Sequence, residues 1–264
     1  VGAPRMTYEH LLTRIDDTGV NGISLDRPGQ RNALNAELVA ELKDALALAD
    51  TDDRVRVVLL TGEGPDFCAG ADLREIQELI EAGVLESLAD AESLGELFLL
   101  LRKLRKPVVA AVHGRALAGG CGLATACDLV VAASDSQFGY PEVRLGFVPA
   151  MVMAILRRSV GEKRAFELVA LGDRIDAETA REYGLVSRVF PAEEFHAHAE
   201  EFAVRLAERS ASALALSKEL LYQIDGMSFE AAIRTGAEVN AIARLTPDCQ
   251  EGIRRFLERR GEER

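Results

Sequence analysis

The sequence predicts an α/β fold with a helical C-terminal region, on three grounds. Short apolar runs alternate with helical segments through the first half. Those runs are near-continuous in Val, Leu and Ala, as strands covered on both faces are. Past Pro149 strand-like runs nearly vanish while helical periodicity continues. The chain therefore divides at about residue 190 into an α/β front, 1–190, and a helical tail, 191–264.

In order, residues 11–15 and 22–26 read as an opening strand pair, 55–61 as a buried strand, and 108–113 and 129–133 as two more. Residues 36–49 have helical period, with Leu38, Leu42, Ala45, Leu46 and Ala49 on one stripe. From 75 to 106 the chain is acidic and helical, with breaks expected near Gly83 and Gly95, and Leu79, Leu88, Phe98 and Leu99 are candidates to line a pocket. The segments 151–171, 177–183, 192–208, 213–224, 229–245 and 247–260 read as helices. With no internal repeat or low-complexity linker, the tail is expected to pack on the front or on another subunit.

Among 264 residues, 48% are hydrophobic and 28% charged, a balance that excludes disordered and fibrous classes. The longest apolar stretches, such as 107–112, fall far short of the roughly 20 residues of a membrane-spanning helix. No basic and apolar leader opens the chain, so a soluble, cytoplasmic protein without a membrane partner is expected. Forty-three acidic against 31 basic residues give a net charge of −12, which opposes nucleic acid. The only basic cluster is C-terminal: Arg254, Arg255, Arg259, Arg260 and Arg264. Cys68, Cys121, Cys127 and Cys249 match neither a CxxC redox pair nor a zinc signature, which points to a reducing compartment. His196 and His198 are two apart and do not share a helix face, so no metal site is expected. His10 and His113 lack the partners of a hydrolytic triad.

Two glycine-bearing turns each end a strand-like run and lead into a helix: FCAGADL at 67–73 and GRALAGGCG at 114–122. Small residues there let a ligand approach the backbone, and the free amides of a helix's first turn stabilise negative charge. Two such turns converging would make an oxyanion hole; tight packing of helix on strand accounts for either turn taken alone. The spacing around Gly119 does not fit a GxGxxG dinucleotide fingerprint. Among the carboxylates Glu142 stands out, in the apolar stretch FGYPEVRLG, where burial would raise its pKa towards a value useful for proton transfer. A structural pairing with Arg144 or another cation is the alternative.

The strings RNALN, FCAGADL, PVVAAVHGRALAGGCGLATACDLVVA, FGYPEVRLGFVP, GDRIDAETAREYGLVSRVFP and EGIRRFLERR, spread from Arg31 to Arg260, closely resemble the enoyl-CoA hydratase/isomerase, or crotonase, family. The resemblance implies a spiral of ββα units, a C-terminal helical region used for homo-trimers or dimers of trimers, and an acyl-CoA thioester substrate. It implies no metal or cofactor beyond the coenzyme A of the substrate. By the motif match the thioester oxygen would be held by the backbone N–H groups of Ala71 and Gly119, flanked by Ala69, Asp72 and Leu73. Arg31, Phe256 and Arg259 match the positions that reach coenzyme A, the last two often from a neighbouring subunit. Family hydratases carry two glutamates; one matches Glu142, while the other position is Gly122.

A single carboxylate can move one proton between C2 and C4, which favours a Δ3-Δ2 isomerase. GGCGLA and EVRLGFVPA resemble bacterial hydratases of the methylglutaconyl-CoA kind, which favours hydration. A second departure is Pro149-Ala150-Met151-Val152-Met153, where glycines are usual, and it is expected to reshape the acyl pocket or the water position. A non-catalytic CoA-binding member of the family is the alternative of another class. Thioester hydrolysis, dehalogenation and decarboxylation reuse the same oxyanion hole elsewhere in the family, and nothing in the sequence selects them.

Overall fold

The computed structural model describes residues 8–262; Arg264, named above, lies outside them. In chain order the strands are β1 (Leu11–Ile15), β2 (Val20–Leu25), β3 (Val57–Gly62), β4 (Val108–Val112), β5 (Arg115–Leu117), β6 (Leu129–Ala133), β7 (Gln137–Gly139), β8 (Arg174–Asp176) and β9 (Arg188–Phe190). The helices are α1 (Ala36–Thr51), α2 (Leu73–Ala82), α3 (Val84–Lys103), α4 (Gly119–Ala126), α5 (Ala150–Val160), α6 (Glu162–Leu171), α7 (Ala177–Tyr183), α8 (Phe195–Ala207), α9 (Ala211–Gln223), α10 (Phe229–Leu245) and α11 (Pro247–Glu262).

The main sheet has the order β1-β2-β3-β4-β6-β9, antiparallel between β1 and β2 and parallel elsewhere. Side chains alternate across a strand, yet both faces are covered, which is why the strands read as unbroken apolar runs. One face sends Val58, Leu60, Val108 and Ala110 into a core shared with Leu38, Leu42 and Leu46 of α1. The other sends Val57, Leu59, Val109 and Val131 under Phe195, Ala199, Ala203 and Ala207 of α8. The four-residue spacing of that α8 stripe brings small side chains onto one helix face, so the helix lies close to the sheet.

A second, smaller layer runs alongside. In it β5 pairs parallel with β7, and β7 antiparallel with β8. Isolated parallel bridges, Leu34 with Ala71 and Cys68 with Ala116, extend it. Each winding of the chain thus leaves a strand in the main sheet and a strand or bridge in the second layer, the ββα spiral that the resemblance implies.

Four local expectations differ from the structure. The break at Gly83 is present, where φ is +126°, but α3 runs through Gly95 without one. The single helix expected over 151–171 is two, α5 and α6, divided at Gly161 with φ +78°. Past Pro149 strands nearly vanish, yet two short ones that the apolar pattern does not place, β8 and β9, join one sheet each. Nor were β5 and β7 expected. All four of these strands have three residues, too few for a period of two to declare itself.

The tail is tied to the core through buried Lys218 of α9. Its ammonium donates to the carbonyls of Leu101 and Lys106 and to Asp128 Oδ2 at 2.7 Å, while Tyr222 donates to Asp128 Oδ1 at 2.8 Å. Among the described residues no helix is long and apolar enough to cross a membrane.

Candidate active site

The two glycine turns meet in the second layer. Cys68 N–H donates to Arg115 O and Leu117 N–H to Cys68 O, each at 3.0 Å, stitching the FCAG turn to β5. Leu34 N–H donates to Gly70 O and Asp72 N–H to Leu34 O, both at 2.8 Å, so the residues flanking Ala71 hold the ladder and the Ala71 N–H takes no part in it. Gly119 opens α4, where the first amides have no intrahelical acceptor. Among the described residues neither N–H has an acceptor.

Glycine is required at two of these positions. A Cβ on Gly120 would lie 2.3 Å from Cys68 O, so the first turn of α4 can rest on the FCAG turn only without one. Gly70 has φ +104°, and its Cβ would fall 2.8 Å from that of Ala118. Ala118 itself sits at φ +51°, ψ −128°, a conformation costing an alanine of order 1–3 kcal/mol. Its own N–H donates to Gly139 O at 2.8 Å, and this strained cap aims the amide of Gly119. A Cβ built on Gly119 would stand 3.9 Å from the Ala71 nitrogen, which sets the two donors side by side.

Beneath the turns lies a polar network that sequence reasoning missed. Buried Asp66 accepts from Arg115 N–H at 3.1 Å, Nε at 2.6 Å and Nη2 at 2.7 Å. Buried Asn32 donates through Nδ2 to Glu63 O and Asp66 O, and accepts from Arg27 N–H. Arg27 in turn pairs with Asp72 at 3.1 Å, and Asp72 caps α2 by accepting from Arg74 N–H. Asp66 and Arg115 are 49 residues apart, and no spacing rule pairs them.

Glu142 lies in a 3-10 turn, Pro141–Leu145, and is 7% exposed. Arg144 pairs instead with Asp173, and among the described residues no cation forms an ion pair with Glu142. Its Oε2 is buried with no hydrogen-bond partner among the described residues, and burial pushes the carboxyl pKa above its ordinary value. The charge reaches α4: Cys121 is pushed up to about 11, first by burial, with Glu142 contributing. The result is a pair of free N–H donors and a buried carboxyl with a raised pKa, groups of the kinds that stabilise an oxyanion and move a proton.

Other sequence-predicted residues fall as follows. Exposed Arg31 has φ +52°, accepts at its carbonyl from Ala69 N–H at 3.0 Å, and makes no ion pair among the described residues. Leu73 is exposed at the start of α2. Phe98 is buried next to Gly122, whereas Leu99 lines a cleft of about 690 Å³ between α3, α5 and α9. Leu79 is half-buried and Leu88 exposed. Phe256 and Arg259 lie on α11, which packs on α9 and α10. In the same helix Arg254 and Arg255 are paired with Glu251 and Glu258. His198 lies between Glu194 and Glu201, and His196 packs on the His113 ring.

A family model described as enoyl-CoA hydratase/isomerase matches residues 16–263. The 2,3-dehydroadipyl-CoA hydratase of Escherichia coli is 38% identical, across 90% of this chain and 92% of its own. The crotonyl-CoA hydratase of Syntrophomonas wolfei is 34% identical across 97% of each. The crystal structure of an enoyl-CoA hydratase from Mycobacterium smegmatis superposes with a TM-score of 0.91 at 32% identity, covering 95% of this chain and 96% of the other.

Proposed function

Because the chain belongs to the enoyl-CoA hydratase/isomerase family, we propose that it adds water across the double bond of a 2-enoyl-CoA, with Ala71 and Gly119 as the oxyanion donors and Glu142 as the acid–base group. The observation that carries this assignment is the buried, unpartnered Glu142 oxygen in a fold whose second layer also sets two free N–H groups side by side. The thioester carbonyl accepts from both amides. Glu142 as carboxylate takes a proton from water while the water oxygen bonds to C3, leaving an enolate whose oxygen the amides hold. Glu142 as acid then returns that proton to C2, so one carboxylate completes the addition. Losing one such amide costs roughly 2.7–4 kcal/mol of transition-state stabilisation, which makes turn geometry as decisive as the side chain.

Arg31, without an ion pair among the described residues, suits a phosphate of coenzyme A; Ala69, Asp72 and Leu73 border the thioester, and Phe256 and Arg259 reach coenzyme A from a neighbouring copy in a trimer or a dimer of trimers. The thioester supplies its own activated carbonyl, so the chemistry calls for no metal or redox group. Buried free cysteines suit a cytoplasmic setting.

Isomerisation of a 3-enoyl-CoA to its 2-enoyl form is the second possibility, favoured by Gly122, which leaves Glu142 without a carboxylate partner. Incubation with crotonyl-CoA, 3-methylglutaconyl-CoA and a 3-enoyl-CoA in heavy-oxygen water tests both. Label in a 3-hydroxyacyl product is expected; an unlabelled conjugated product from the 3-enoyl ester alone would replace hydration with isomerisation.

A further inference from the structure

The two departures from the family pattern, Gly122 and the bulky run at 149–153, meet in space. A Cβ on Gly122 would lie 2.4 Å from Val152 Cγ2, 3.3 Å from Val152 Cγ1 and 3.4 Å from Phe98 Cζ. Both neighbours are fixed. Val152 is 3% exposed and Phe98 4%, and a β-branched residue in a helix has essentially one χ1 rotamer, so the isopropyl group of Val152 on α5 cannot swing aside. Gly122 is buried in the interior of α4 with a φ that any residue adopts, so its lack of a side chain answers to Val152 and not to the backbone.

We propose that Val152 is a specificity-determining residue: backed by Phe98, it fills the space a carboxylate at position 122 would enter, leaving Glu142 as the sole acid–base group at the thioester. The proposal rests on the acyl-CoA function given above and adds the element that sets its proton economy. An apolar wall stands where a second carboxylate would grip the water, so the same carboxyl must both accept and return the proton. A glutamate at 122 can act only if residue 152 shrinks with it.

The sign of a stability change gives a test independent of activity. Gly→Ala inside a helix ordinarily raises the melting temperature. Here Gly122→Ala is expected to lower it by roughly 3 °C, since overpacking outweighs propensity, and to raise it in a Val152→Ala background, where both clashing methyls are gone. A rise in both backgrounds would overturn the proposal. The activity arm compares G122E with G122E/V152A on crotonyl-CoA in heavy-oxygen water. The double variant is expected to hydrate about tenfold faster than G122E. If the parent is active and the double variant is no faster than G122E, the specificity role falls while the function stands. No turnover by the parent on any of the three esters would instead sink the function itself.

Discussion

Phe67, in the second layer, is fully buried; Phe229, in the tail, is 78% exposed. Around Ala71 and Gly119 the chain is covered by itself, with Asp66, Asn32 and Arg115 satisfied by partners and glycines admitting backbone contact. In the tail, α10 buries no residue, and Ile233, Leu245, Phe256 and Leu257 are all more than half exposed. An apolar stripe at helical period says that a face is to be covered; it does not say by which chain. Around the two turns the cover is intramolecular, and on α10 and α11 a second copy is the proposed cover.

Substitutions on each side can break or sharpen that contrast. The largest effect is expected at the site: Glu142→Gln lowers kcat by about 10²- to 10⁴-fold and leaves coenzyme A binding intact, read by steady-state kinetics and calorimetric titration. The same variant has a stability signature. Burial holds the Glu142 pKa above its ordinary value, so the folded chain binds this proton more tightly than the unfolded one. Its contribution to stability therefore falls as pH rises from the ordinary carboxylate value through the raised one. The melting temperature of the variant is expected to gain on the parent across that window and then hold level; a constant difference across pH would refute a raised pKa.

Next comes the joint between the regions. Lys218→Met strands Asp128 in a buried site and is expected to cost about 3–5 kcal/mol in urea unfolding, with loosening of the tail visible in hydrogen exchange of α9. Asp66→Ala, inside the second layer, is expected to cost about 2–3 kcal/mol and to lower kcat more than it raises KM, because Arg115 anchors β5, which leads into the turn of Gly119. An unchanged kcat in a folded variant would confine Asp66 to stability. The smallest effect belongs to the tail: Phe256→Ala is expected to weaken coenzyme A binding by about 1 kcal/mol, the lower edge of an interface hot spot, only at concentrations where copies associate. Weakening that persists in a monomer at high dilution would place the contact within one chain.

Much of this was legible in the residues. Leu38, Leu42, Leu46 and Ala49 share the buried stripe their spacing predicts, and the five longer strands lie within a few residues of their apolar runs. Glu142 was legible because a carboxylate in an apolar, Pro- and Gly-punctuated stretch is rare enough to notice, and the structure buries it. Not legible were β5, β7, β8 and β9, each three residues long, and the Asp66–Arg115 pair, since an ion pair across 49 residues leaves no local trace. Gly95 misled because a lone glycine costs a helix only about 1 kcal/mol, which the packing of α3 on α1 and α2 outweighs.

By itself the sequence determined the alternation of strands and helices, the two turns whose glycines permit close backbone approach, and a carboxylate, Glu142, in an apolar stretch punctuated by Pro and Gly. These are local properties, set by period, by φ and by side-chain volume within a few residues. Only the tertiary structure decided that α8 covers the second face of the sheet, that the two N–H donors stand side by side, and that Val152 occupies the volume facing Gly122. Each of those depends on residues brought together by the winding of the chain, and volume exclusion between distant segments has no signature until both are in place.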